Sequence, residues 1–286
     1  MSFDLTMLDQ WSDDREFKVE AARTTAYATA TNDTNPKHAA GELAPPLFAV
    51  VPVWEAIGLA VARVAPPEVL MRVVHGEQDI RFHRPLVPGD LLRSRAAPIG
   101  VGVRGSGTTV VVKTESRDQA GELVNEQYFT LFFRGVSDGE GGGRMPPEHK
   151  LTAEVKATPP VAQATYAFDA DQTFRYADAS GDRMPIHLDD ALARAMGLPG
   201  IIVHGLCTMA FAGRAVVEEV AGGDSARLRR LAVRFSRPVL PGQTVTTRIY
   251  DAGPAADGGP LHAYAFETVN PENQAAIKDG WAEVAS

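Results

Sequence analysis

Hydrophobic positions along the first half of the chain form one helix-like run followed by several strand-like runs. The run from Val51 to Val64 carries few charges and stops at a Pro-Pro pair, which predicts a largely buried helix. Four runs of strand character follow it, at Leu70–Phe82, Asp90–Pro98, Thr108–Arg117 and Glu122–Arg134. Because an apolar helix must hide its surface, we expect an antiparallel sheet made from these runs to cover it.

The same order of elements returns in the second half. Before the first long helix, the sequence indicates a short strand at Arg15–Val19, a short helix at Ala21–Thr31 and a turn at Asn32–Pro36. After a glycine-rich polar stretch, residues 135–150, the second half shows a segment at Phe168–Ser180, a turn and a buried helix at Gly205–Val220. Four predicted strands then follow, at Leu228–Phe235, Thr244–Tyr250, His262–Val269 and Ala275–Val284.

Two local matches indicate that the halves arose by duplication. Residues 81–90 (RFHRPLVPGD) agree with residues 234–243 (RFSRPVLPGQ) at six of ten positions. Residues 33–38 (DTNPKH) align with residues 182–187 (DRMPIH), again in the same order. We therefore predict two copies of one helix-plus-sheet unit. Their boundaries are set at 1–134 for the first unit, 135–165 for a linker and 166–286 for the second unit.

Composition narrows the possible partners. The formal net charge of -8 over 286 residues argues against a nucleic acid partner. The single cysteine, Cys207, permits no internal disulfide and favours an intracellular protein. Uninterrupted apolar runs fall short of the ~18 residues that span a bilayer, and the N-terminus has no secretory pattern. We expect a cytoplasmic protein that binds neither nucleic acid nor membrane.

Candidate chemistry lies in the turn-rich stretch that precedes the second long helix. Asp182 and His187 stand five residues apart; one interpretation is purely structural, since Asp forms turns and a histidine often satisfies a local hydrogen bond. The functional interpretation rests on Gly181, which allows tight backbone geometry, and on Pro185, which stiffens the loop. The N–H of Gly205 opens an apolar helix, where it can stabilise a negative oxygen. These groups suffice to move water across an activated double bond, so we predict no metal and no cofactor.

The stretch from Tyr176 to Ala193 resembles the signature of the MaoC-like (R)-specific enoyl-CoA hydratases. The matching positions are Tyr176, Ser180, Gly181-Asp182, Pro185-Ile186-His187 and Ala193, while Met184 stands where that family usually has Asn. The resemblance extends to residues 199–208 and 234–242. It implies an α+β double-hotdog fold: two tandem units, each with a long central helix wrapped by an antiparallel sheet.

This resemblance also implies roles for the site residues. Asp182 and His187 would hold one water and add it syn, and reversibly, across a trans-2-enoyl-CoA or acyl-carrier-protein thioester, giving the (R)-3-hydroxyacyl product. His187 would take the water proton, Asp182 would protonate C2, and the Gly205 N–H would polarise the thioester carbonyl. Residues expected to contact the substrate are Ser180, Gly181, Pro185, His204 and Arg237. Arg84, Arg183, Arg234 and Arg237 could hold phosphates, or could be ordinary solvated arginines.

The first copy departs from this pattern. Asn32 and Lys37 replace Gly181 and Ile186, and Pro52, which has no N–H, falls at the position of Gly205. We therefore predict that only the second unit catalyses and that the first provides space for the acyl chain. Two alternatives stay open: an acyl-thioester hydrolase on the same fold, and a non-catalytic acyl-thioester-binding subunit. A homodimer of the chain is also possible.

Overall fold

The computed structural model describes residues 2–255 and 259–286. Its α-helices are α1 (Ala21–Ala30), α2 (Pro36–Ala39), α3 (Trp54–Val64), α4 (Ala153–Lys156), α5 (Gln172–Ser180), α6 (Asp190–Ala195) and α7 (Gly205–Val220). Its strands are β1 (Arg15–Lys18), β2 (Val73–Phe82), β3 (Leu91–Arg104), β4 (Gly107–Arg117), β5 (Leu123–Arg134), β6 (Gly142–Gly143), β7 (Ala162–Ala167), β8 (Leu228–Phe235), β9 (Thr244–Pro254), β10 (Leu261–Val269) and β11 (Ala275–Ala285). Short 3-10 helices lie at Leu5–Met7, Pro46–Val53, Pro67–Arg72, Pro185–His187 and Ser225–Arg227.

The described chain divides into two compact units that do not follow the predicted ranges 1–134, 135–165 and 166–286. The first unit contains residues 1–18, 52–83 and 90–148, and the second contains residues 19–51, 84–89 and 149–286. Helices α1 and α2 therefore belong with the C-terminal unit, because α1 packs against α5. The segment 135–165 is also not a bare linker, since it contains β6, α4 and the start of β7.

In the first unit, an antiparallel sheet in the order β1-β3-β4-β5-β2 packs against helix α3. Helix α3 buries Ala56, Ile57, Ala60, Val61 and Val64, which is the 3.6-residue spacing of a one-sided apolar helix. A small cluster of Ala97, Ile99 and Val111 adds to the core, with Trp11 and Tyr128 packed against it. The predicted helix-plus-sheet architecture of this unit is confirmed.

The second unit repeats the plan, with strands in the order β8-β11-β10-β9-β7 and all neighbours antiparallel. Helix α7 packs against β7, β8, β9 and β11 and buries ten of its residues, including Cys207 and Phe211. Gly213 fits there because an added Cβ would lie 2.9 Å from a Leu231 methyl carbon. This packing fixes the start of α7, where the candidate site lies.

Two sequence expectations need correction. The α-helix of the first unit begins at Trp54 rather than Val51, since the preceding Pro46–Val53 segment, with Pro52 inside it, winds as a 3-10 helix. The combined helical segment Pro46–Val64 is also long and apolar enough to cross a membrane, which our count of uninterrupted residues missed because Glu55 and Arg63 interrupt it. In the structure 67% of its most apolar window is buried, as in a core helix.

Candidate functional site

The end of helix α5 positions Asp182. Gly181 takes a left-handed conformation with φ 83°, which L-residues with a side chain rarely adopt, and it stops the helix. The next N–H, that of Asp182, donates to Oγ of Ser180 at 3.1 Å. The Asp182 carboxylate accepts the backbone N–H of Met184 at 3.1 Å. Gly181 thus has the tight backbone geometry that the sequence predicted, and Ser180 accepts a hydrogen bond within the turn.

A proline-initiated turn positions His187. Pro185 begins the 3-10 turn that ends at His187, and the imidazole is only 7% exposed. Its Nδ1 lies 2.8 Å from the backbone oxygen of Ile202. A carbonyl oxygen only accepts hydrogen bonds, so Nδ1 carries the proton and Nε2 keeps a lone pair. His187 is therefore arranged as a base.

Asp182, His187 and His204 lie close together. One carboxylate oxygen of Asp182 and one ring nitrogen of each histidine lie within 4.8 Å of one another. Two hydrogen bonds of about 2.8 Å each can bridge such a gap through one water molecule. The acid and the imidazole predicted from sequence are therefore brought to one place.

Burial changes the proton affinities of this pair in opposite directions. Loss of solvent raises the pKa of Asp182, an effect opposed by His187 and by the Met184 N–H. Loss of solvent lowers the pKa of His187, opposed by the bond to Ile202 and by the nearby Asp182. The imidazole is thus favoured as a neutral base and the carboxyl group binds a proton more readily than in water. Such a pair can exchange a proton with substrate at both ends of a double bond.

His204 completes the cluster in a way that the sequence did not show. Its Nε2 donates to the backbone oxygen of Asp182 at 3.0 Å, and its ring stacks on that of His187 with centroids 3.7 Å apart. The ring of His204 also contacts Tyr176, with ring centroids 4.8 Å apart. His204 is 1% exposed, and burial together with the nearby His187 lowers its pKa to about 3, so it is neutral.

Gly205 follows directly as the first residue of α7. N–H groups of the first helical turn have no acceptor within the helix and carry the positive end of the helix dipole. An added Cβ at Gly205 would lie 3.3 Å from ring carbons of Phe235. Phe235, which sequence reasoning did not assign to the site, therefore leaves little room for a side chain here. Its only sequence signal was its place in the repeated Arg-Phe motif.

The same three side chains could be suspected of holding a metal ion, since a carboxylate and two imidazoles are common ligands. The two imidazole planes differ by only 23°, however. An imidazole nitrogen binds a metal ion that lies in the plane of its own ring. The ring planes of His187 and His204 are nearly parallel, with centroids 3.7 Å apart, so they intersect farther away than a metal–nitrogen bond can reach. The arrangement fits proton transfer better than metal binding.

The predicted arginines are held in different ways. Arg237 lies in the turn after β8 and is exposed, with its backbone N–H bonded to the Ala275 oxygen at 3.2 Å. Arg234 pairs with Asp279 at 3.3 Å, and Arg183 pairs with Asp178. The remaining candidate, Arg84, donates to the Pro85 oxygen at 3.1 Å.

The first copy of the motif is built differently. The Nδ1 of His38 bonds to Asp33 at 2.7 Å, and its Nε2 bonds to Oγ of Ser225 at 2.8 Å. Both ring nitrogens are thus occupied by protein atoms, whereas Nε2 of His187 has no hydrogen-bond partner in the part of the chain that the structure describes. Asn32 takes the left-handed conformation, φ 52°, that Gly181 takes in the second copy.

A cavity lies beside this first pair. It is a partly open cleft, and the figure of about 380 Å³ for its empty space includes open solvent. It is lined by Asp33 and His38, by the Pro45–Leu47 segment and by one side of α7, including Ala210 and Val217. The mixed polar and apolar lining leaves the predicted accommodation of an acyl chain as a proposal.

Comparisons with known proteins match both halves of the chain. Residues 150–260 match the family described as MaoC like domain, and residues 7–127 match the family described as FAS1-like, dehydratase domain region. A curated relative, 3-hydroxyacyl-thioester dehydratase Y of Mycobacterium tuberculosis, is 37% identical over 64% of this chain and 63% of its own length. The chain spans 24% to 63% of the length of the first curated relatives it matches.

Solved structures agree over nearly the whole chain. A MaoC-like dehydratase from Phytophthora capsici is 25% identical, with a TM-score of 0.83 and 99% of each chain covered. A Mycobacterium tuberculosis protein described as having a double hotdog fold has a TM-score of 0.63 at 17% identity, covering 96% of this chain and 95% of that one. The second likeness concerns the fold alone, and together they confirm the predicted α+β double-hotdog class.

Proposed function

We propose that this chain, which belongs to the MaoC-like double-hotdog family, hydrates trans-2-enoyl thioesters reversibly to (R)-3-hydroxyacyl thioesters. The observation that carries the proposal is the state of His187. Its Nδ1–H is bonded to the Ile202 oxygen, which leaves Nε2 as the lone-pair nitrogen of a buried imidazole that is clustered with Asp182 and His204. The names of two relatives, 3-hydroxyacyl-thioester dehydratase Y and enoyl-CoA hydratase 2, support the same reaction class.

Each group has one task in the proposed step. The water oxygen bonds to C3 while its proton passes to Nε2 of His187. The electron pair of the C2–C3 double bond moves toward the thioester carbonyl, whose developing negative oxygen accepts the N–H of Gly205 at the start of α7. Asp182, whose pKa burial raises, donates its proton to C2. His187 then returns its proton to Asp182, and the reverse sequence dehydrates the hydroxyacyl thioester.

The finer assignments are part of the proposal. Ser180, Gly181 and Pro185 shape the loop that presents Asp182 and His187, and the exposed Arg237 is a candidate contact for the phosphates of CoA or of a carrier protein. We propose that the cavity beside Asp33 and His38 receives the acyl chain. We also propose a cytoplasmic location, from the sequence features described above, and a homodimer of the chain.

The assay follows the conjugated enoyl thioester of crotonyl-, octenoyl- and longer enoyl-CoA. We expect loss of its absorbance without release of free thiol, and a product that an (R)-specific 3-hydroxyacyl dehydrogenase oxidises. Absence of turnover with every chain length, together with tight acyl-CoA binding, would instead support a non-catalytic acyl-thioester-binding subunit.

One observation favours a second candidate function, thioester hydrolysis. Ser225, His38 and Asp33 are linked in the order of a nucleophile, a base and an orienting acid, at 2.8 and 2.7 Å. In the described chain, however, Asp33 and His38 line the neighbouring cavity, whereas Ser225 is 7% exposed and does not line it. Free thiol released from acyl-CoA by the wild-type chain, and not by Ser225→Ala, would establish this second activity.

A further inference from the structure

His204 occupies the centre of the candidate site without a role in the proton transfers. It is 1% exposed, and it stands immediately before Gly205 at the first turn of α7. Because burial and His187 lower its pKa to about 3, it does not titrate near neutral pH. Its Nε2–H is bonded to the backbone oxygen of Asp182 and is not available to the substrate, so its contacts must explain its presence.

Two of these contacts reach the two reacting residues, one at the backbone of Asp182 and one at the ring of His187. The Nε2–H of His204 donates to the backbone oxygen of Asp182 at 3.0 Å, 22 residues earlier in the chain. Its ring lies 3.7 Å from that of His187 at an interplanar angle of 23°, which restricts tilting of the imidazole. The bond spans the turn of Asp182 and the start of α7, which carries the Gly205 N–H. One side chain therefore links the acid, the base and the oxyanion donor.

The state of the second ring nitrogen is consistent with this function. Since Nε2 is the donor, Nδ1 is a lone-pair acceptor, and it has no hydrogen-bond partner among the described residues. A buried acceptor costs stability when it is left unpaired. A residue kept only for packing would satisfy the position better as a carbon ring, so the Nε2–H bond is the feature that requires a histidine.

We propose that His204 is a positioning residue of the hydration site, which holds the Asp182 turn against the first turn of α7 through its Nε2–H. This inference rests on the proposed function, because it concerns the geometry of the same reaction. The catalytic groups must be held closely, since a displacement of about 1 Å can cost roughly 100-fold in rate.

Two amides of different length test the bond. In His204→Gln the side-chain nitrogen falls near the position of Nε2 and can still donate to Asp182, whereas the shorter His204→Asn cannot reach. We expect kcat for crotonyl-CoA hydration to stay within about tenfold of wild type for Gln and to fall roughly 100-fold for Asn. KM should change less than threefold in both, because in the proposed role His204 contacts Asp182 and His187 rather than the substrate.

His149→Gln serves as a matched control. His149 is 9% exposed and its Nδ1 also bonds to a backbone oxygen, that of Asp279, outside the candidate site. We expect this variant to keep its kcat even if its thermal stability falls. Thermal unfolding of all three variants separates loss of fold from loss of positioning. Since Gln and Asn are similarly polar, a difference in kcat between His204→Gln and His204→Asn reports the hydrogen bond to the Asp182 oxygen.

The outcomes are distinct. Higher kcat for Gln than for Asn supports the positioning role, and equal kcat for the two variants, at any level, overturns it. If only His204→Asn folds, a kcat near that of wild type overturns the role and a roughly 100-fold loss supports it. If only His204→Gln folds, a roughly 100-fold loss of kcat overturns the role and a kcat within about tenfold of wild type supports it. An inactive wild-type chain would contradict the proposed function itself, and the positioning role would fall with it.

Discussion

The duplicated motif allows the same substitution to be made at two corresponding histidines, His187 and His38. Asparagine places its side-chain N–H near the position of Nδ1 and removes Nε2. His187→Asn therefore keeps a donor for the Ile202 oxygen and loses the free base. His38→Asn keeps a donor for Asp33 and loses the bond to Ser225. The two changes are chemically identical, so a difference between them reports the function of each site.

The expected magnitudes follow from these bonds. Removal of a general base costs about 10²- to 10⁴-fold, so kcat of His187→Asn should fall by that factor. His38→Asn leaves the buried hydroxyl of Ser225 without its partner at 2.8 Å, which costs about 1–3 kcal/mol of stability. Its kcat should stay within about threefold of wild type, while its Tm falls by several degrees.

The assay combines initial rates of crotonyl-CoA hydration at saturating substrate with thermal unfolding of the same samples. Wild type and both variants are measured well below the Tm of the least stable one. If His38→Asn loses as much kcat as His187→Asn while remaining folded, the first copy takes part in catalysis. If His38→Asn is inactive and His187→Asn is active, the assignment of the two copies of the motif is reversed.

Three further predictions concern the same loop and helix. The pKa of His204 is about 3 in the folded chain and 6.5 in the unfolded chain, so the unfolded chain binds more protons between these values. The free energy of unfolding should therefore fall by about 3 kcal/mol from pH 7 to pH 4. Urea titrations of wild type and His204→Gln at both pH values check whether the variant loses this pH dependence. Gly205→Ala places a Cβ 3.3 Å from the ring of Phe235 and should shift the start of α7. Because this shift moves the Gly205 N–H, we expect kcat to fall by up to about tenfold. An unchanged kcat would argue against the oxyanion role. Met184→Asn should add the side-chain cap that Asn35 provides in the first copy, raising stability by about 1 kcal/mol without loss of kcat; a lower Tm would contradict this.

Much of the fold could be predicted from local patterns. The strands follow from runs of β-branched residues, and the spacing of apolar residues in α3 and α7 marks the two buried helices. The left-handed stop at Gly181 and the stiff turn at Pro185 could also be predicted, because each depends on one residue's own backbone preferences. These features placed Asp182 and His187 in one short loop.

Features that depend on distant partners could not be predicted in this way. Helix α1 joins the C-terminal unit because Tyr27 and Tyr176 are fully buried against each other, with their hydroxyl groups 3.0 Å apart. These residues are 149 positions apart, and no local pattern pairs them. Likewise, the bond from His204 to the Asp182 backbone depends on how the loop before α7 packs, so the residue could only be assigned generally to the site.

The two copies show why a motif alone does not decide function. Both contain an acid and a histidine five residues apart, yet the available lone pair differs. In the second copy the Nδ1–H of His187 donates to the backbone oxygen of Ile202, so Nε2 keeps its lone pair for water. In the first copy a carboxylate binds Nδ1 of His38, and a hydroxyl group contributed 187 residues later occupies Nε2. Removal of that hydroxyl, as in Ser225→Ala, exposes Nε2 of His38, but Pro52 still offers no N–H at the position corresponding to Gly205. We therefore expect Ser225→Ala to leave hydration by wild-type His187 unchanged and not to restore any hydration in His187→Asn; recovery of turnover in the double variant would show that the first copy lacks only a free nitrogen.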